Sequence, residues 1–318
     1  SIDEARDGNG DKIIVTYYQD NSVEVEDFGR GCPVDYNNAE QCYNWELVYC
    51  ELYAGGKYKN NESGDYEYSL GLNGLGACAT QYSSEYTDVE IYRDGFKYNL
   101  HFEKGENVGE KKKEETTRKK TGTKTKWRPD LDVFTDIAVS REYFEDVLKK
   151  QAIVNPNISF VFRYQNEVGK FEENTYFYEN GISDYIGEIV GTDYLTPPRF
   201  WQCERKGRDR DDKPEYKVKL SFAVAFSNKV AQIEYYHNSS FLEHGGVPDK
   251  AVQTAFVSQI DAYLKSNNKY QKGESKIKYI DVQDCLVLIS SSFSTLTSYE
   301  NQTKKAITNK FIYEAMVD

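Results

Sequence analysis

Glu26-Asp27-Phe28-Gly29-Arg30-Gly31-Cys32-Pro33 is the stretch on which the reading of the chain turns. Two β-rich runs lead into it, Lys12 to Tyr18 and Ser22 to Asp27, joined by Gln19-Asp20-Asn21 as a hairpin with a short polar turn. The carboxylate of Asp27 therefore falls at a strand end, and the glycines break the strand just behind it. A carboxylate so placed can accept from an exocyclic amine such as adenine N6, while glycines beside it let a flat base approach the backbone. Taken alone, the same residues also read as an acidic turn closed by glycines.

Before this stretch, Ser1 to Gly8 reads as the end of a helix, with Ile2 and Ala5 at helical spacing and glycines to stop it. After it, Trp45 to Tyr53 has helical spacing, and Gly55 to Asp65 has the composition of a mobile loop. Gly71-Leu72-Asn73-Gly74-Leu75-Gly76 then opens an apolar run, and residues 88–103 alternate around Asp94-Gly95 as a second hairpin. The Lys/Glu/Thr-rich stretch from Gly105 to Lys120 lacks periodicity and is expected to be exposed and flexible. A strand from Thr123 to Trp127, a helix from Ser140 to Gln151 with Ser140 as N-cap, and strands near 158–165 and 172–178 close a first unit. In the second half, Val218, Leu220, Phe222, Val224 and Phe226 alternate as a half-buried strand, and Val252, Phe256, Ile260 and Leu264 mark a helix. A strand from Cys285 to Ser292 and a terminal helix after Gln302 complete a strand, helix, strand, helix order, which implies a crossover connection. The expected boundary lies near Gly181, giving units 1–180 and 181–318, both α+β in character.

A chain of 318 residues with 39% hydrophobic and 14% aromatic content can build two ordered cores. No run approaches the roughly 18 apolar residues of a membrane span, and the start is polar and acidic, so the reading is cytoplasmic with no membrane partner. The six cysteines and three histidines are scattered without metal or triad spacing, so no metal site is expected in this chain. A formal net charge of −12 argues against a broad DNA-binding surface. The basic run from Lys111 to Arg128 is interrupted by glutamates and reads as a solvated hairpin.

Two further segments have chemical potential. Backbone N–H groups of the Gly71 to Gly76 loop can cradle phosphates where a helix follows. No Gly-Lys-Ser/Thr follows, so it is not a Walker loop, and no clear strand runs into it as in a Rossmann turn. Gln302-Thr303-Lys304 offers an ammonium that can reach a terminal phosphate, although a loop lysine is ordinarily just solvated.

In this order, the segments resemble the GHKL ATPases, specifically the gyrase B and topoisomerase IV branch of the type IIA DNA topoisomerases. The matching string runs Ser1-Ile2-Asp3-Glu4-Ala5, Asp27 to Pro33, Ala54-Gly55-Gly56-Lys57, Gly71 to Gly76, Tyr92-Arg93-Asp94-Gly95, Thr121-Gly122-Thr123 and Gln302-Thr303-Lys304. The resemblance implies a GHKL (Bergerat) ATP-binding α/β sandwich followed by a transducer domain with a ribosomal-protein-S5-like α/β fold. It implies that Asp27 accepts the adenine amine, with Thr123 helping through a water, and that Gly31 admits the base. Glu4 and Arg30 would pair beside the base, with Cys32 and Pro33 lining the wall. Lys57 and Tyr66 would belong to the lid, Gly71, Leu72, Asn73, Gly74, Leu75 and Gly76 would wrap the phosphates, and Gln302 and Lys304 would reach the γ-phosphate. The implied cofactors are ATP and Mg2+. The implied partners are DNA, a gyrase A or topoisomerase IV A-type subunit and a second copy of the chain, with ATP binding closing the dimer for strand passage. A nucleotide-binding or structural relic without ATPase activity is the alternative.

Departures from the pattern are specific. Leu70 stands where the family's lid has a glycine, Asn73 where it commonly has a histidine, and Gly245-Gly246-Val247-Pro248 where it has Gly-Gly-Thr-His. The family's general-base glutamate and magnesium-binding asparagine would precede Ser1, as would the arm that clamps the partner, and Glu4 does not align with either residue. Residues 1–318 by themselves are therefore expected to be essentially inactive as an ATPase and to bind nucleotide weakly at best.

Overall fold

The computed structural model describes residues 1–54, 74–109, 111–301 and 303–318, which fall into two units, Ser1–Glu179 and Asn180–Asp318. In the first, α1 (Ile2–Arg6), β1 (Lys12–Tyr17) and β2 (Val23–Asp27) are followed by the short pair β3 (Tyr36–Asn37) and β4 (Cys42–Tyr43). Then come α2 (Asn44–Tyr49), α3 (Gly76–Tyr82), β5 (Ser84–Arg93), β6 (Phe96–Glu103), β7 (Glu106–Asn107), β8 (Lys112–Glu115) and β9 (Gly122–Pro129). The unit closes with α4 (Arg141–Val154), β10 (Ser159–Gln165) and β11 (Phe171–Tyr176). The sheet order is β11-β10-β1-β2-β9-β5-β6-β7, with β8 also on β6, and only the β1–β10 pair is parallel among these described strands.

Alternation along the strands sorts the two faces of this sheet. Ile13, Val15, Tyr17, Phe160 and Phe162 pack with Leu148 and Ala152 of α4, whose N-terminus is capped by Ser140 accepting from the Tyr143 N–H at 3.3 Å. Val89, Ile91, Leu100 and Phe102 bury Trp45 and Tyr49 of α2 in a second cluster. On the opposite face the side chains pair by charge: Glu24 with Lys124 at 3.4 Å and Glu26 with Arg118 at 2.9 Å. These partly exposed pairs contribute little individually and serve mainly to keep an uncovered sheet face wet.

The stretch from Gly105 to Lys120 differs from its expected flexible state. β7 and β8 both pair with β6, Lys111 Nζ donates to the Val34 carbonyl at 3.0 Å over the Tyr43 ring, and the Arg118 guanidinium lies 4.0 Å from the Tyr92 ring centroid. Edge pairing and cation–aromatic contacts need no apolar periodicity, so the hydrophobic pattern carries no trace of them.

The second unit contains α5 (Ile182–Val190), β12 (Thr196–Gly207), β13 (Tyr216–Phe226), β14 (Gln232–His237), β15 (Ser240–Phe241), α6 (Val247–Ser266), α7 (Tyr279–Gln283), β16 (Leu286–Ser294) and α8 (Lys310–Val317). Its sheet runs β12-β13-β16-β14-β15. Val218, Leu220, Phe222 and Val224 bury one face of β13 in a core shared with α6 and α8, as their alternation predicts. The crossover differs from the expected one: β13 and β16 are antiparallel neighbours, and the parallel connection to β16 starts from β14. β14 reads Gln-Ile-Glu-Tyr-Tyr-His, too polar to register as a strand, because it lies beside hydroxyl-rich β16. The terminal helix also begins later than Gln302, at Lys310, after a long irregular loop.

His237, at the end of β14, has no exposed surface, and burial alone lowers its pKa from 6.5 to about 3. The folded protein therefore stays unprotonated where the unfolded chain takes up a proton, so this stability is present above pH 6.5 and is lost as pH falls from there towards 3. At about 1.4 kcal/mol per unit, the second unit should lose roughly 2 kcal/mol at pH 5 from this group. Thermal melting at pH 7 and pH 5 checks it: the drop should be larger for the wild type than for His237→Gln, and identical profiles would rule it out.

Candidate functional site

Asp27 ends β2 with its carboxylate on the inner face of the sheet, 8% exposed. Its Oδ1 accepts from the N–H groups of Gly29 and Thr123, both at 3.1 Å, and its Oδ2 accepts from Ser1 Oγ at 2.7 Å. Two backbone donors thus hold the carboxylate in one orientation, with acceptor capacity left on Oδ2. β9 brings Thr123 beside it, and the Thr123 hydroxyl accepts from Cys32 N at 2.9 Å. Gly122 makes that approach possible: at φ +150° any Cβ would overlap the Asp27 carbonyl oxygen.

Glu4 and Arg30 form a two-pronged pair, Nε to Oε2 at 3.0 Å and Nη2 to Oε1 at 2.7 Å, at the rim. Gly31 has a second reason to be glycine beyond admitting a base: at φ +80° a Cβ would meet the Tyr92 carbonyl oxygen at 2.8 Å. The Arg93 guanidinium donates to the Gly31 carbonyl at 3.1 Å and fixes the turn from the other side. Burial pushes the Cys32 thiol up to about 12, which disfavours its thiolate form.

These residues surround a cavity of about 420 Å³. Glu4, Asp27, Gly31, Cys32, Pro33 and Thr123 line it together with Gly76, at the start of α3. Gly74 and Leu75 immediately precede that helix. Lys57, Tyr66, Gly71, Leu72, Asn73 and Gln302 lie outside the described residues. Lys304 belongs to the second unit, in a loop at φ +58°.

The floor holds residues that the sequence pattern does not single out: Thr87, Thr125 and Trp127, with Thr80 and Tyr49 from the helices. Among the described residues Thr87 Oγ1 is buried without a hydrogen-bond partner, the kind of group a water or a ligand atom satisfies. The signal lies in the pairing of Thr87 with Trp127 and of Ile91 with Thr123, but that register is a property of the sheet. Another hollow of similar size, about 440 Å³, lies on the charged outer face among Glu24, Asp88, Glu90 and Lys124. Its acids are met by bases among the described residues, Glu24 by Lys124 at 3.4 Å, Asp88 by His101 at 2.6 Å and Glu90 by Lys97 at 2.9 Å. The inner cavity, with its buried and oriented carboxylate, is the candidate ligand site.

The fold is that of a GHKL-type α/β sandwich followed by a transducer-type α+β domain. A family model described as DNA gyrase B matches residues 181–318. The gyrase B protein of Chlamydia muridarum is 28% identical over 97% of this chain and 38% of its own length. The B-type subunit of DNA topoisomerase 4 from Salmonella typhimurium is 37% identical over 60% of this chain and 29% of its own. The solved topoisomerase IV ATP-binding domain of Francisella tularensis, in complex with a small-molecule inhibitor, superposes with a TM-score of 0.70 at 26% identity, covering 100% of this chain and 82% of that one. The second unit thus matches the DNA gyrase B family model, and the chain as a whole is similar to gyrase B and to the B-type subunit of DNA topoisomerase 4. It spans well under half the length of these two curated relatives. No helix among the described residues is long and apolar enough to cross a membrane.

Proposed function

We propose that the inner cavity of the first unit binds ATP and that the chain is the ATP-operated gate of a cytoplasmic type IIA DNA topoisomerase. The observation that carries the reading is the Asp27 carboxylate, buried at a strand end and oriented by the N–H groups of Gly29 and Thr123. An acceptor there selects a ring edge that donates. Adenine presents an amine where guanine presents a carbonyl oxygen, and two facing acceptors repel. Gly74, Leu75 and Gly76 carry the phosphates at the α3 side, joined by Lys57, Tyr66 and the Gly71 to Asn73 segment. Lys304 and Gln302 contact the terminal phosphate, where the lysine stabilises the charge that develops as the phosphoryl group leaves.

Closure of two copies over bound ATP, passage of DNA and pairing with an A-type subunit complete the proposed cycle. Among the described residues the charged side chains lining the cavity are Glu4 and Asp27. Glu4 is held by Arg30, and Asp27 is aimed at the base, so the described residues do not form a ligand set for magnesium. Calorimetric titration tests the reading: ATP should bind at least about tenfold more tightly than GTP, the scale of one charge-assisted hydrogen bond. Equal affinities would remove the purine-selective role of the cavity.

A further inference from the structure

The loop that carries Lys304 stands on a buried histidine. Leaving β16, the chain runs out through Ser298, Tyr299 and Glu300 and returns through Ala306, Ile307 and Thr308. Glu300 N donates to the Ala306 carbonyl at 3.0 Å, Thr308 N to the Ser298 carbonyl at 2.9 Å, and Tyr299 bridges Ile307. The Asn309 side chain accepts from Ser298 N at 2.7 Å. At the foot of this loop, three hydroxyls meet one imidazole: His237 Nδ1 lies 2.7 Å from Ser292 Oγ, and its Nε2 lies 2.8 Å from Thr297 Oγ1 and 3.2 Å from Ser294 Oγ.

The ring also touches Tyr299 edge-on, centroids 6.2 Å apart, and the Lys304 ammonium in turn lies 5.6 Å from the Tyr299 ring centroid. Asn238, the next residue, reinforces the foot by donating to Thr297 Oγ1 at 3.1 Å and accepting from Ser294 N at 2.9 Å. Two links thus run from His237 to Lys304: one through Thr297 into the paired backbone, and one through the aromatic ring beneath the ammonium.

We propose that His237 is a positioning residue for Lys304, clamped between Ser292 and Thr297 so that the loop and the Tyr299 ring hold the ammonium in the place from which it meets a terminal phosphate. This rests on the proposed role of Lys304 at that phosphate. An imidazole suits the task because one nitrogen donates while the other accepts, and hydroxyl neighbours adapt to either role. An aliphatic side chain would fill the space but leave the hydroxyls of Ser292 and Thr297 without this partner, and the loop would lose the tie at its foot that its backbone pairing does not replace. Misplacement of a charge by a fraction of an ångström is enough to weaken a preorganised contact.

The test compares binding of ADP and of a non-hydrolysable ATP analogue to the intact protein and to its Lys304→Ala, His237→Leu, His237→Gln and Thr297→Val variants. Lys304→Ala should remove the preference for the analogue. His237→Leu and Thr297→Val should each reduce that preference by about tenfold while ADP affinity holds, the scale of one lost polar contact. His237→Gln, whose amide nitrogen reaches Thr297, should restore most of it. An unaltered preference in Lys304→Ala would overturn the underlying reading and the proposal with it. Loss in Lys304→Ala together with no loss in folded His237→Leu or in Thr297→Val would leave His237 a structural residue and overturn the proposal alone. Should His237→Leu fail to fold, the near-isosteric Thr297→Val decides.

Discussion

Asp27→Ala should weaken ATP binding by about 1.5 to 3 kcal/mol, because a charge-assisted hydrogen bond to the base amine is lost. The geometry adds a second consequence. Gly29 N and Thr123 N both donate to Oδ1, so alanine also leaves two backbone donors near the floor of the cavity without their partner. An unpaired buried donor costs about 1 to 3 kcal/mol, so Asp27→Ala should lower the melting temperature of the first unit as well as its affinity. Asp27→Asn separates the two effects. Its amide oxygen still accepts from Gly29 and Thr123, while its nitrogen donates towards an amine that also donates. Calorimetry should find the affinity loss in both variants, and thermal melting should find the stability loss mainly in alanine. Unchanged ATP affinity in both would remove Asp27 from the site.

Lys304→Ala in the intact protein should spare ADP binding and cut ATP turnover by roughly a hundredfold or more, the scale of losing one preorganised charge at a developing anion. The backbone around Lys304 is set by its neighbours: its N–H donates to the Asn301 carbonyl at 3.2 Å, and the residue sits at φ +58°. Alanine keeps the Cβ that meets the same constraint at that φ, so the substitution removes the ammonium without touching the loop's foot at His237. The loss should therefore appear in turnover and not in the melting of the second unit. A phosphate-release assay with ADP competition measures it, and an equal loss of ADP and ATP-analogue affinity would mark Lys304 as a general structural lysine.

Periodicity in the chain determined those elements whose burial is one-sided. The alternation of Val218 to Phe226, the four-residue spacing of Val252 to Leu264 and the Ser140 cap each describe a single element against water, and each is found. Asp27 at a strand end and the glycines behind it were equally legible, since that is a local pattern with a local geometric meaning, whereas the pairing of Glu4 with Arg30, distant in the chain, was expected only from the resemblance. Only the tertiary structure decided the rest. Thr87 joins Thr123 and Thr125 at the cavity floor because β5 and β9 pair in one register, and Gly122 is needed because Asp27 arrives from another strand. β14 is a strand because β16 offers it a hydrogen-bonding edge and hydroxyls for His237, not because its own residues alternate. Backbone pairing and buried hydroxyl networks take their energy from groups distant in the chain, so no window along the sequence contains both halves of the interaction.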